Sequence, residues 1–186
     1  MAENFHSSGL AQKVDQLMDI LYSGGVNNPM DSIEQISYLL FLRLIWEKEQ
    51  NYKSIDPNYN GMFSNEWKEY EWGRIYNLTG DELFTTFRRA IEKFIDLPDL
   101  TETGKLLFRQ ATLKILDRPT LRAVVQGVHE MNIETDGASD LKGDMYEYLL
   151  SKIETSGSNG QFRTPRHIID TIVKMVDPKT GAVSYT

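Results

Sequence analysis

Residues 31–50 read Asp31-Ser-Ile-Glu34-Gln35-Ile36-Ser-Tyr38-Leu-Leu-Phe-Leu-Arg43-Leu-Ile-Trp46-Glu47-Lys-Glu49-Gln50, and the fold class turns on them. Between Tyr38 and Trp46 only Arg43 is polar. Such a run fits either a helix buried on most faces or a strand buried on both. Its length and its Leu-rich, β-branch-poor composition favour the helix. Asp31 with Glu34 three residues on has the form of a capping box, which predicts a helix from there to about Gln50. Arg43 inside the apolar stretch requires a buried partner or an exit to solvent, and an internal salt bridge is the default expectation.

Upstream, Leu10, Val14, Leu17, Met18 and Leu21 form an apolar stripe at helical spacing, with Ser7 or Ser8 as cap and Gly24-Gly25 as stop. Downstream, residues 51–77 carry seven aromatics, Tyr52, Tyr59, Phe63, Trp67, Tyr70, Trp72 and Tyr76, in a less regular pattern. A long loop with a short helix near Glu66 is expected there. These rings could stack on bases, but packing in a core or loop is the commoner use. A helix capped at Thr79 or Asp81 should follow, with Leu83, Phe84, Phe87, Ile91, Phe94 and Ile95 inward. A helical stretch is predicted over 104–116, and another with Pro119 in its first turn, running to about Met131. Further helices are predicted from near Asp140 (Leu141, Met145, Leu149, Ile153) and from Thr164-Pro165 (Ile168, Ile169, Ile172, Val173, Val176). No adjacent strand pair is readable, so the bulk of the chain is expected to be all-α.

Composition narrows function. The 186 residues include 40% apolar and 25% charged residues, as in an ordinary globular chain. There is no cysteine, which excludes disulfides, thiolate nucleophiles and cysteine-ligated zinc. No apolar run approaches the roughly 20 residues of a membrane span, and the polar start lacks the apolar core of a signal peptide. A cytoplasmic protein is expected. The net charge of −7 disfavours a globally basic nucleic-acid binder. Charge is uneven, however. Residues 1–100 hold 9 basic and 16 acidic side chains, and residues 101–186 hold 11 of each. Lys105, Arg109, Lys114, Arg118 and Arg122 form a basic string opposed only by Asp117. On a continuous helix, Lys114, Arg118 and Arg122 would share one face, although Pro119 interrupts it. The string reads either as a solvated surface or as a phosphate-contacting, DNA-binding face.

Enzymatic signatures are sparse. No P-loop, Gly-x-Gly-x-x-Gly or His-Glu-x-x-His occurs. His6, His129 and His167 are far apart, which suits surface or helix-terminal roles and no metal site. Gly160-Gln161-Phe162-Arg163-Thr164-Pro165-Arg166 is a glycine loop delivering the chain to a helix N-terminus, where Thr164 can cap and Pro165 is preset for the first turn. Free backbone N–H groups with Arg166 beside them suit an anion such as a carboxylate.

This segment resembles the Gly-Gln-Tyr/Phe-x-Thr-Pro-Arg segment of adenine-N6 DNA methyltransferases, in the modification subunit of type I restriction-modification systems. Asp140 to Leu150, with Gly143-Asp144-Met145-Tyr146-Glu147-Tyr148-Leu149-Leu150, is similar to that family's Gly-x-x-Tyr-Glu-Tyr-Leu-Leu helix. The opening helix followed by Ile36 to Trp46 looks like the family's helical N-terminal domain. The resemblance implies that Gln161, Phe162, Arg163, Thr164, Pro165 and Arg166 line an S-adenosylmethionine site, with backbone groups and the Thr164 hydroxyl on the methionine part. Arg163 stands where the family usually has an aromatic or other non-basic residue.

The family's Asp-Pro-x-x-Gly-x-Gly-type loop and Asn-Pro-Pro-Phe/Tyr motif do not occur in the 186 residues. The expected architecture is therefore mainly α: a helical bundle over 1–137, then 138–186 as the leading segment of a truncated Rossmann-like α/β methyltransferase domain. No catalytic residue is assigned within this chain, which alone should not methylate DNA. The implied partners are DNA, the specificity subunit, the restriction subunit and a second modification subunit, in a bacterium or archaeon. The alternative is a stand-alone helical module for protein–protein interaction.

Overall fold

A computed structural model describes residues 9–97, 105, 108, 111–131 and 148. Helix α1 spans Leu10–Ser23 and α2 spans Pro29–Ile55. A 3₁₀ segment, Asn65–Tyr70, leads into the single turn α3, Trp72–Ile75. Helix α4 is Gly80–Lys93, extended by a 3₁₀ turn at Phe94–Asp96. Helix α5 is Arg118–His129. No strand occurs among the described residues.

The rivalry between helix and strand over the apolar run resolves to helix. Helix α2 is 27 residues long, about 40 Å at 1.5 Å per residue. Residues 35–40 are all buried, so the middle of α2 is enclosed on every side. The helix continues past Gln50 to Ile55, which projects into solvent with 82% of its surface exposed. Its start differs from the expected capping box. Asn28 is the N-cap, its side chain accepting from the Met30 N–H at 3.0 Å, and Pro29 opens the helix. Asp31 and Glu34 make a tertiary contact instead, and both grip Lys114 Nζ, at 2.7 and 2.9 Å. The cap thus lies one turn earlier, because Asn-Pro supplies both the acceptor and the preset φ.

Helix α1 begins after Gly9, whose φ of 74° and lack of a side chain leave no side-chain cap; Ser7 and Ser8 lie outside the described residues. Gly24 ends it as expected, and a methyl group there would overlap the Thr120 side chain of α5. That contact is one of several. Helix α5 packs against α1, α2 and α4, and its buried Leu121, Val124, Val125 and Val128 fill the space between them. At Gly127 a Cβ would come within 2.6 Å of Leu17 Cδ2, so α5 and α1 approach closely. Leu83, Phe87, Ala90 and Ile91 on α4, and Phe94 in the turn after it, face the core, whereas Phe84 and Ile95, also expected inward, are only half-buried.

The aromatic region 51–77 is divided: Tyr52 is exposed and Tyr59 and Tyr76 are half-buried, while the others turn inward. Phe63, Trp67, Tyr70 and Trp72 are buried. The loop before the 3₁₀ segment folds around Glu49, whose buried carboxylate accepts the N–H groups of Met62 and Phe63. Burial, with the Glu69 carboxylate second, pushes the Tyr70 hydroxyl up to about 12.

The stretch 111–117 departs from expectation. Lys105 and Phe108 are helical, but residues 111–117 are not. Ala111 and Ile115 are buried while Thr112, Lys114 and Leu116 are exposed, a two-residue alternation. The buried Gln35 side chain supplies what a neighbouring strand would. Its Nε2 donates to the Thr112 carbonyl and its Oε1 accepts from the Lys114 N–H, both at 3.0 Å. With those groups satisfied by a side chain, the segment gains nothing from a helical turn.

Candidate functional site

Of the basic string, Lys105, Lys114, Arg118 and Arg122 fall within the described residues; Arg109 lies outside them. They do not form one helical face. Lys114 stands on the extended segment, locked between Asp31 and Glu34, and those two hydrogen bonds raise its pKa. Lys105 is helical and half-buried.

Arg118 and Arg122 begin α5. The helix is capped by Asp117, whose carboxylate accepts from the Thr120 hydroxyl and N–H at 2.5 and 2.8 Å. Those two bonds, the hydroxyl first, hold the Asp117 carboxyl below its ordinary range. The cap points the first turn of α5 toward α4. Arg118 lies 4.0 Å from the Phe84 ring centroid, and Arg88 flanks the same ring at 5.9 Å. Arg118 Nε also donates to Asp81 at 2.9 Å. Arg122 lies over the Tyr76 ring at 5.2 Å and donates to the Tyr76 carbonyl. The result is an edge where three guanidinium groups sit on two aromatic rings. Arg118 keeps 43% of its side chain exposed, and its carboxylate partner Asp81 keeps 85%, so that ion pair is open to competition.

The sequence pattern does not single out Phe84, Tyr76, Asp81 and Arg88 as members of this edge. Phe84 and Arg88 are four apart on α4, which is a readable signal. That α5 delivers Arg118 to the same ring is not readable, because the two helices are joined through residues with no local pattern linking them.

A second cluster lies at the other end of α5. The His129 ring stacks on Tyr76 at 3.6 Å, and its Nδ1 accepts from the Trp72 indole N–H at 3.1 Å. Burial, then the nearby Arg43 guanidinium, lowers the His129 pKa below 6.5. Arg43 is the buried arginine of α2. It donates to Glu47 at 2.6 Å and to the Val128 carbonyl, so the expected internal salt bridge is present. These groups are interlocked within the core and its rim, and their geometry is that of packing.

Among the described residues there is no group of three or more His, Asp or Glu placed to hold a metal, and no helix long and apolar enough to cross a membrane. The segment Gln161, Phe162, Arg163, Thr164, Pro165 and Arg166 lies outside the described residues. One residue of the preceding motif is described. Tyr148 is helical and half-buried against the core, and its hydroxyl donates to Asp15 Oδ2 of α1 at 2.8 Å.

Two family models cover most of the chain. Residues 10–128 match the one described as the HsdM N-terminal domain. Residues 137–185 match the one described as N-6 DNA Methylase. The chain is 24% identical over 182 residues to the type I restriction enzyme EcoEI methylase subunit of Escherichia coli, covering 92% of this chain and 37% of that protein. It is 25% identical over 183 residues to the EcoKI methylase subunit of E. coli strain K12, covering 96% and 32%. A shorter match, 43% identical over 49 residues, joins it to the HindI methylase subunit of Haemophilus influenzae, covering 25% and 11%. The chain thus spans about a third of the length of the first two of these curated relatives.

Proposed function

Since the chain belongs to the HsdM N-terminal domain family, we propose that it forms the N-terminal region of a type I modification subunit that methylates adenine N6 with S-adenosylmethionine. The observation that carries this reading is the tandem order of the two matches, the helical domain model over 10–128 and the N-6 DNA Methylase model over 137–185. The similarity of Gln161–Arg166 to the family's cofactor segment supports the same cofactor. The chain holds neither the glycine-rich loop nor the Asn-Pro-Pro-Phe/Tyr motif, so residues 1–186 by themselves bind S-adenosylmethionine weakly and transfer no methyl group.

The helical domain then serves binding. Its acidic surface meets protein, the specificity subunit first. The rim of Arg88, Arg118 and Arg122 meets DNA phosphates, with Arg118 exchanging exposed Asp81 for a phosphate. Lys114, already held by two carboxylates, contributes less to that contact.

The test is DNA affinity of the assembled subunits at several salt concentrations. Arg88→Gln with Arg118→Gln is expected to weaken binding equally for specific and unrelated duplexes. The slope of log affinity against log salt should fall by about 1 per lost phosphate contact. An unchanged slope, with thermal melting of the variant unaltered, removes this face from the DNA interface. Failure of the wild-type assembly to methylate adenine with S-adenosylmethionine would remove the larger reading.

A further inference from the structure

The chain carries two matched segments, and a contact among the described residues joins them. Asp15 lies on α1 inside the helical-domain match, beside core residues Ala11 and Val14. Tyr148 lies inside the methylase match, 133 positions away. Its ring packs against the helical core and its hydroxyl meets the Asp15 carboxylate at 2.8 Å. A half-buried tyrosine needs a partner for its O–H. An O–H bond to a carboxylate is about twice as strong as one between neutral groups. Both residues are half-buried, so water screens the pair less than it would on an open surface.

We propose that the flank of α1 around Asp15 is a docking surface for this chain's own segment around Tyr148, and that the pair is a positioning contact fixing where residues 137–166 start relative to the helical domain. Nothing in the family matches assigns this role to either residue. The docking rests on the contact itself. Its meaning for cofactor binding rests on reading 138–186 as the leading segment of a methyltransferase domain, with Gln161 thirteen residues beyond Tyr148. Displacement of α1 by a partner would then be felt at the start of that segment, and the reverse, since coupling is reciprocal.

Hydrogen exchange of the 186-residue chain tests the docking. Tyr148→Phe and Asp15→Ala are each expected to speed exchange across 137–166 by about tenfold, the scale of one lost charge-assisted hydrogen bond. Residues 29–55 should exchange at the wild-type rate. The double variant should be no faster than either single one, because both remove the same bond. Asp15→Asn keeps an acceptor and should recover most of the protection. Multiplying effects in the double variant, no change in 137–166, or equal acceleration throughout the chain would each overturn the proposal. The methyltransferase reading is checked separately, by calorimetric titration of S-adenosylmethionine into the wild-type assembly, and its failure would leave the exchange result standing.

Discussion

At the scale of single residues, Arg43 carries a charge in the interior and His129 a potential one at the rim of the core, and each has a consequence. Arg43 is 8% exposed and is neutralised by Glu47, while its second contact, the Val128 carbonyl, belongs to the last turn of α5. Removing one member of a buried pair strands the other. Arg43→Ala is therefore expected to cost about 3–5 kcal/mol in urea unfolding. Arg43→Met combined with Glu47→Leu should recover most of that loss, and a double variant worse than the single one would contradict the stranded-charge explanation. His129 works in the opposite sense. Its Nδ1 accepts the Trp72 proton only while the imidazole is neutral. Burial and Arg43 hold its folded pKa below 6.5. The stability it contributes is thus complete above pH 6.5 and declines as pH falls through the depressed folded value. The wild-type protein should lose urea stability between pH 7.5 and 5.5 more steeply than His129→Gln, whose amide oxygen still accepts but does not titrate. Parallel pH profiles would show that His129 is not the responsible group.

At the scale of elements, the start of α2 separates two kinds of acidic or amide side chain that look alike in sequence. Asn28 caps the helix, whereas Asp31 holds Lys114 on its open rim. Asn28→Ala is expected to cost about 1 kcal/mol. Asp31→Ala should cost less, because Glu34 still pairs with Lys114 and partly exposed ion pairs contribute little. Thermal melting of the two variants decides the order. The same contrast explains what a sequence can reveal. The stripes of α1 and α4 are legible because their information is local: Leu10, Val14, Leu17 and Leu21, or Leu83, Phe87 and Ile91, repeat within one helix. The segment 111–116 reads as helix and is not, because its alternate partner is Gln35, whose side chain arrives from a distant element. Likewise the basic string is visible as a composition bias. Its partners Asp81, Phe84 and Tyr76 are not, since each is brought in by the packing of α5 on α4 and on the turn after α3. The methylase-like motif is legible as a pattern of residue types, and its geometry lies outside the described residues.

At the scale of the molecule, α5 acts as the keystone. Helices α1, α2 and α4 all pack on it, and its Leu121, Val124, Val125 and Val128 are fully buried. A fragment ending at residue 97 would leave α1, α2 and α4 without the helix they pack on, and Leu17 without Gly127 beside it. Such a fragment is expected to lack a cooperative thermal transition and dispersed methyl resonances, and a sharp native-like melt would disprove the keystone role. Gln35 adds a consequence in time. Its bonds to Thr112 and Lys114 span 77 and 79 residues, and Arg43 reaches Val128 across 85. Helical proteins owe their fast folding to contacts between near neighbours in sequence. Here a long stretch of chain must be drawn back before the central helix finds its cover, and the entropy of closing that loop precedes the reward. This mainly helical domain should therefore refold at rates nearer those of mixed α/β proteins. On a ribosome, the first 97 residues would emerge and wait for α5 before the core closes.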